Sequence, residues 1–146
     1  MNVPMLAHTT FIRQERLLER TWDEVLTDEI MKYGKIEYEI AVSKNAVENN
    51  MAQICVFVDG GWSKRSYGHN YNAASGVASI IGKETKKILF MGVRKKYCSI
   101  CYVASNLGVE AATPKCYKNW DHSSSGMDAD IIVQGFNSSE EMHKLQ

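Results

Sequence analysis

Five consecutive apolar residues, Ile54-Cys55-Val56-Phe57-Val58, end abruptly at Asp59-Gly60-Gly61, and this stretch constrains the chain more than any other. A short unbroken apolar run bounded by turn-forming residues reads as a strand covered on both faces, hence as the centre of a sheet with Cys55 in its core. Two further runs follow, Gly76-Val77-Ala78-Ser79-Ile80-Ile81 and Lys87-Ile88-Leu89-Phe90-Met91-Gly92-Val93. The intervening Gly82-Lys83-Glu84-Thr85-Lys86 has the length of a hairpin connection. Three strands in chain order, the last two antiparallel, are expected.

The flanks read as helix. Between residue 10 and about residue 48, Trp22, Val25, Leu26, Ile30 and Tyr33 recur at helical spacing. Thr21 with Glu24 fits a capping box, in which each side chain satisfies the other's free backbone N–H, and this divides the region into two helices near Thr21. Lys35, Glu37, Glu39 and Lys44 are expected on a solvated face. From residue 125 to about 142, Met127, Ile131, Ile132 and Phe136 form another apolar stripe, with Ser125 and Asp128 as its start signal. Asp128 then serves the helix end, Asp130 belongs to the surface, and Trp22, Trp62 and Trp120 pack in or around the core. The expected architecture is α+β: an N-terminal helical region over 1–50, then a mixed domain over 51–146. That domain has a three-stranded, mainly antiparallel sheet, a Cys-rich insert and a C-terminal helix.

Composition limits the classes of function. A chain of 146 residues, 45% hydrophobic and 23% charged, suits one globular domain. Its 17 basic and 17 acidic residues cancel, so any contact with a nucleic acid must come from a local patch. No apolar run approaches the roughly 18–20 residues that cross a bilayer. The start lacks the apolar stretch of a secretory signal. The expected compartment is therefore intracellular, nuclear or cytoplasmic, where cysteines stay reduced.

Asp59 is the first residue with a chemical use. A strand holds its carboxylate rigidly, and the two glycines let a phosphate backbone approach. Magnesium takes one or two carboxylates together with water and phosphate oxygens, and two such ions promote phosphodiester cleavage. Asp-Gly-Gly is equally an ordinary turn. Cys98 and Cys101 form Cys-x-x-Cys, followed by Cys116 and then His122, an order that suits tetrahedral zinc. The alternatives are idle thiols, or a redox pair, which the lack of a helix-start signal beside Cys98 disfavours. Trp62, Lys64 and Arg65 follow Asp59 closely and would contact nucleic-acid phosphates there, or else form a solvated strand end. Tyr67, His69 and Tyr71 could stack on bases, though packing over a sheet is the commoner use of such rings. The lysines around the hairpin read as solvated, and His8 and His143 carry no signal.

VFVDGGWSKRSYGHNYNAASGVASIIGKETKKILFMGVRKKYCSICY resembles the Mutator-like transposase domain, and so does CYKNWDHSSSGMDADIIVQGF downstream. NVPMLAHTTFIRQERLLERTW is similar to the region before that domain. The combination of Asp-Gly-x-Trp after an apolar strand, Cys-x-x-Cys, and Ser-Ser-x-x-Met-Asp is specific, and the resemblance runs from about Asn2 to His143. It implies a ribonuclease-H-like fold in which three carboxylates on separate elements hold Mg2+ or Mn2+ for DNA strand cleavage and transfer at transposon ends. Asp59 matches the first of those acids. The second and third belong beyond a fourth strand, so the resemblance implies an incomplete ribonuclease-H-like fold here, inactive alone. It also places a histidine two positions before the third cysteine, where this chain has Pro114, and a glycine where it has His122. A second function class is a non-catalytic, zinc-stapled DNA- or protein-binding module. An open sheet face predicts a partner, a homo-oligomer among them, or aggregation.

Overall fold

The computed structural model describes residues 7–63, 72–110 and 116–145, apart from the side chains of His8 and Arg20. Helix α1 (His8–Ser43) is followed by two short strands, β1 (Val47–Glu48) and β2 (Met51–Ala52), and then by β3 (Val56–Trp62), β4 (Ser75–Gly82) and β5 (Ile88–Lys95). Helix α2 (Ser99–Leu107), a single 3-10 turn (Ser124–Gly126) and helix α3 (Met127–His143) complete the described elements. The fold is α+β, with a three-stranded antiparallel sheet in the order β3-β4-β5.

α1 is one helix rather than two. The Thr21 hydroxyl donates to the Leu17 carbonyl at 3.3 Å, so it is satisfied inside the helix instead of capping a new one. Ile30, Gly34, Glu37 and Ala41 are its buried positions, at the spacing of one helical face. Glu37 therefore departs from its expected solvated position. β1 and β2 form a minimal hairpin whose central residues Asn49 and Asn50 have φ of 50° and 65°, the geometry of a tight primed turn. The Ala52 N–H donates to the Lys144 carbonyl, which ties this hairpin to the end of α3.

α3 buries Met127, Ile131 and Gly135 at helical spacing against β4 and β5. Ala41, Ala52, Leu89 and Leu145 form a second buried cluster where α1, β2 and β5 converge, with Tyr33, Tyr38, Ile54 and Val56 packed around it. Both helices cover the same side of the sheet. A Cβ on Gly60 or Gly76 would meet Asp128 or Met127 of α3, and one on Gly82 would meet Glu37 of α1. Residues directly opposite in antiparallel strands share a face, so Phe57, Asp59, Val77, Ser79, Met91 and Val93 line the side that α1 and α3 leave uncovered.

Three expectations about the sheet change. β3 is an edge strand with Phe57 and Val58 exposed, because it pairs only with β4 among the described residues. Cys55 precedes it and is exposed. The strand also runs on through Asp59-Gly60-Gly61 to Trp62, since these residues pair in register with Ser79, Ala78, Val77 and Gly76. The hairpin joining β4 and β5 forms as expected.

Candidate functional site

Asp59 lies within β3, exposed, opposite Ser79 on the face away from α1 and α3. Trp62 is three residues further and so points to the other face. Its indole N–H donates to the Ser124 carbonyl at 3.1 Å and its ring lies beside Gly76. The motif thus divides its labour: the tryptophan pins the turn that starts α3, and the aspartate is left open to solvent. Trp120 packs as expected at a rim, its indole N–H on the Ser123 carbonyl. Trp22 does not pack and is exposed.

The other acids do not join Asp59. Asp128 approaches Gly60 from the helix-covered face. Ser123 caps the preceding 3-10 turn, its hydroxyl accepting from the Ser125 N–H, while Asp128 lies in the first turn of α3 at the positive helix end, as expected. Asp130 is more than a surface residue, because its carboxylate pairs with the Arg94 guanidinium at 2.6 Å, with Gln134 accepting from the same guanidinium. Two-metal chemistry requires several oxygen ligands around one point. Asp59 is in no group of three or more metal-ligating side chains among the described residues, which do not make up a complete centre of that kind.

The cysteines do converge. Cys98, Cys101 and Cys116 have their sulfurs within 4.8 Å of one another, and Cys101 lies 3.3 Å from Cys116. Cys98 is the residue before α2, so the helix start is real and Cys101 falls in the first turn. The available signal was at the other end: Gly108 closes α2 with φ of 66°, just after Ile100, Val103, Ala104 and Leu107. Cys116 is brought in by the segment after it. Asn119 accepts from the Lys95 N–H at 2.6 Å and donates to the Val93 carbonyl at 2.9 Å, holding that segment along the outer edge of β5. Nothing in composition or periodicity marked Asn119.

Backbone N–H groups at Cys101 and Tyr117 bond the Cys98 sulfur and hold its thiol at about 7. The neighbouring thiols of Cys116 and Cys98 push Cys101 up to about 11. A metal relieves that crowding, since zinc–sulfur bonds of about 2.3 Å in tetrahedral array separate sulfurs by about 3.8 Å. The three thiols fit a metal of this kind. His122 is not among them; its ring packs edge-on against Trp120 with centroids 5.1 Å apart. Lys64, Arg65, Tyr67, His69, Tyr71 and Pro114 lie outside the described residues.

Helices on one side of an antiparallel sheet, an open aspartate on the other and a thiol cluster at its edge define an α+β domain with a metal-competent loop. The chain belongs to the Mutator-like transposase family, whose model matches residues 1–146. No curated protein and no solved structure matches it. No helix among the described residues is long and apolar enough to cross a membrane.

Proposed function

We propose that this chain is the part of a Mutator-like transposase that carries the first catalytic carboxylate, Asp59, on a ribonuclease-H-like sheet. The observation behind this is the open position of Asp59 on β3, where a DNA phosphate can approach over Gly61 on the same face. Asp59 supplies one ligand to Mg2+ or Mn2+, and the remaining acids come from outside the described residues. Lys64 and Arg65 contribute to holding DNA near it through phosphate contacts, and Trp62 contributes from the opposite face by pinning the strand end that leads to them.

Two measurements test this. Mn2+ added to the isotope-labelled chain broadens the amide signals of Asp59 and Ser79, and Asp59→Ala abolishes the effect. Unchanged broadening in the variant refutes the assignment. Supercoiled DNA incubated with the chain and Mg2+ or Mn2+ stays intact, because one carboxylate does not assemble the two-metal clamp. Nicking that depends on Asp59 overturns that part.

The thiol cluster favours a second role beside the first. Cys98, Cys101 and Cys116 hold a structural zinc that fastens the 97–122 segment to the sheet, with His122 as the fourth ligand after its ring leaves Trp120. A module that kept this scaffold and lost the chemistry binds DNA or protein equally well with Asp59→Ala, and a binding assay on that variant separates the two readings.

A further inference from the structure

The first buried side chain of α1 among those described is Ile30. The preceding 22 residues, 8–29, extend about 33 Å at 1.5 Å per residue without reaching the core. This arm is not polar all round. Phe11, Leu18, Trp22 and Val25 follow one another at spacings of seven, four and three, so they lie along one stripe. They are 54%, 53%, 67% and 47% exposed. At about 100° per residue, the stripe is turned roughly a third of the circumference from the face that carries Ile30, Glu37 and Ala41. It is therefore a second apolar face and does not continue the first.

The charges on the arm are segregated along its length. Arg13, Arg16 and Arg20 all lie between residues 13 and 20, accompanied by Glu15 and Glu19. Asp23, Glu24, Asp28 and Glu29 follow without a basic residue between them. A parallel pairing of two such arms would set four carboxylates against four. An antiparallel pairing that brings Leu18 opposite Trp22 across the seam sets Arg16 beside Glu24 and Arg13 near Asp28 of the other copy, with Arg20 at the centre.

We infer that residues 8–29 form an antiparallel two-helix seam with a second copy of this chain, built on Phe11, Leu18, Trp22 and Val25. The exposed stripe supplies the area that an isolated chain in water does not leave uncovered, and the charge pattern selects both the partner and its direction. Dimerisation here leaves the sheet, Asp59 and the cysteine cluster free.

Sedimentation equilibrium on the full chain tests this, with circular dichroism to monitor folding. The wild type sediments as a concentration-dependent dimer. Trp22→Glu, at an exposed position, keeps its helical signal and weakens association at least tenfold. Asp28→Lys with Glu29→Lys also weakens it, and added salt narrows that difference. A monomeric wild type overturns the proposal, as does a dimer that Trp22→Glu leaves intact. Spin labels at residue 13 of both copies lie far apart in the antiparallel seam, and close labels reject that arrangement.

Discussion

Glu37 on α1 and Thr85 in the β4–β5 turn are joined through a single carboxylate oxygen. Oε1 of Glu37 accepts from the Thr85 N–H and from the Thr85 hydroxyl, each at 2.8 Å, and from the Glu84 N–H at 3.2 Å. Glu37 is 1% exposed, and its Oε1 lies 2.2 Å from where a Cβ on Gly82 would be. The helix thus ties off the hairpin, and the hairpin needs glycine at that point to admit the carboxylate. Hydrogen bonds to a charged group contribute about 1.5–3 kcal/mol each, and a buried donor left unmet costs as much. Glu37→Ala is expected to lower stability by about 3 kcal/mol, and Glu37→Gln, which keeps an acceptor, by about 1 kcal/mol. Urea denaturation measures both, and equal losses would show that the charge and its bonds are not what holds the hairpin.

The strands and the C-terminal helix were legible because their signals are local. Apolar runs, the hairpin spacing and the Met127–Ile131 pair of α3 each depend on residues close in the chain, although Phe136, expected on the same stripe, is exposed. What escaped depends on residues distant in the chain. Glu37 reads as one more charge on a polar helix face, since its donors at Glu84 and Thr85 are in another element. The apolar run ending at Val58 reads as a central strand, yet β3 is an edge among the described residues, because pairing partners leave no mark in the run itself. In the candidate site, the spacing of Cys98, Cys101 and Cys116 foretold their meeting. His122 matched the same spacing but packs on Trp120, a ring contact that spacing does not encode.

Gly34 sits within α1, where alanine is ordinarily better by about 1 kcal/mol. Here a Cβ would stand 2.2 Å from Nδ1 of His143 and 2.6 Å from its Cε1. Gly34→Ala is therefore expected to destabilise the fold by about 1–3 kcal/mol, the usual cost of overpacking. Combining it with His143→Ala removes the clash and recovers part of the loss. A thermal melt of the four proteins in that cycle checks this, and strict additivity would contradict the close approach.

The cysteine cluster predicts a metal-dependent melting temperature. Purified chain is expected to hold one zinc, measured by elemental analysis, with Cys98→Ser or Cys101→Ser abolishing retention. Structural zinc in small peptides contributes about 10–16 kcal/mol at neutral pH, so even a fraction of that is readily visible when a chelator removes it. Hydrogen exchange should then speed up in α2 and around Asn119, while α3 stays protected. Zinc retained by both variants, or exchange unchanged on chelation, would exclude these thiols as its ligands.

His143 predicts the response to acid. It was silent in the sequence, yet its Nε2 lies 3.2 Å from the Leu89 carbonyl while its Nδ1 is buried without a hydrogen-bond partner. Burial holds its pKa below the ordinary 6.5, although the Leu89 carbonyl pulls the other way. The unfolded chain therefore takes up this proton at a higher pH than the folded one. Stability from the neutral ring is present above about 6.5 and is lost as pH falls from there through the lower folded value. Below that value both states hold the proton and the loss levels off. Melting temperatures at pH 7.5 and 5.5 should differ more for the wild type than for His143→Gln, which keeps an amide donor for Leu89 but does not titrate. An identical pH response in that variant would assign the acid sensitivity to other groups.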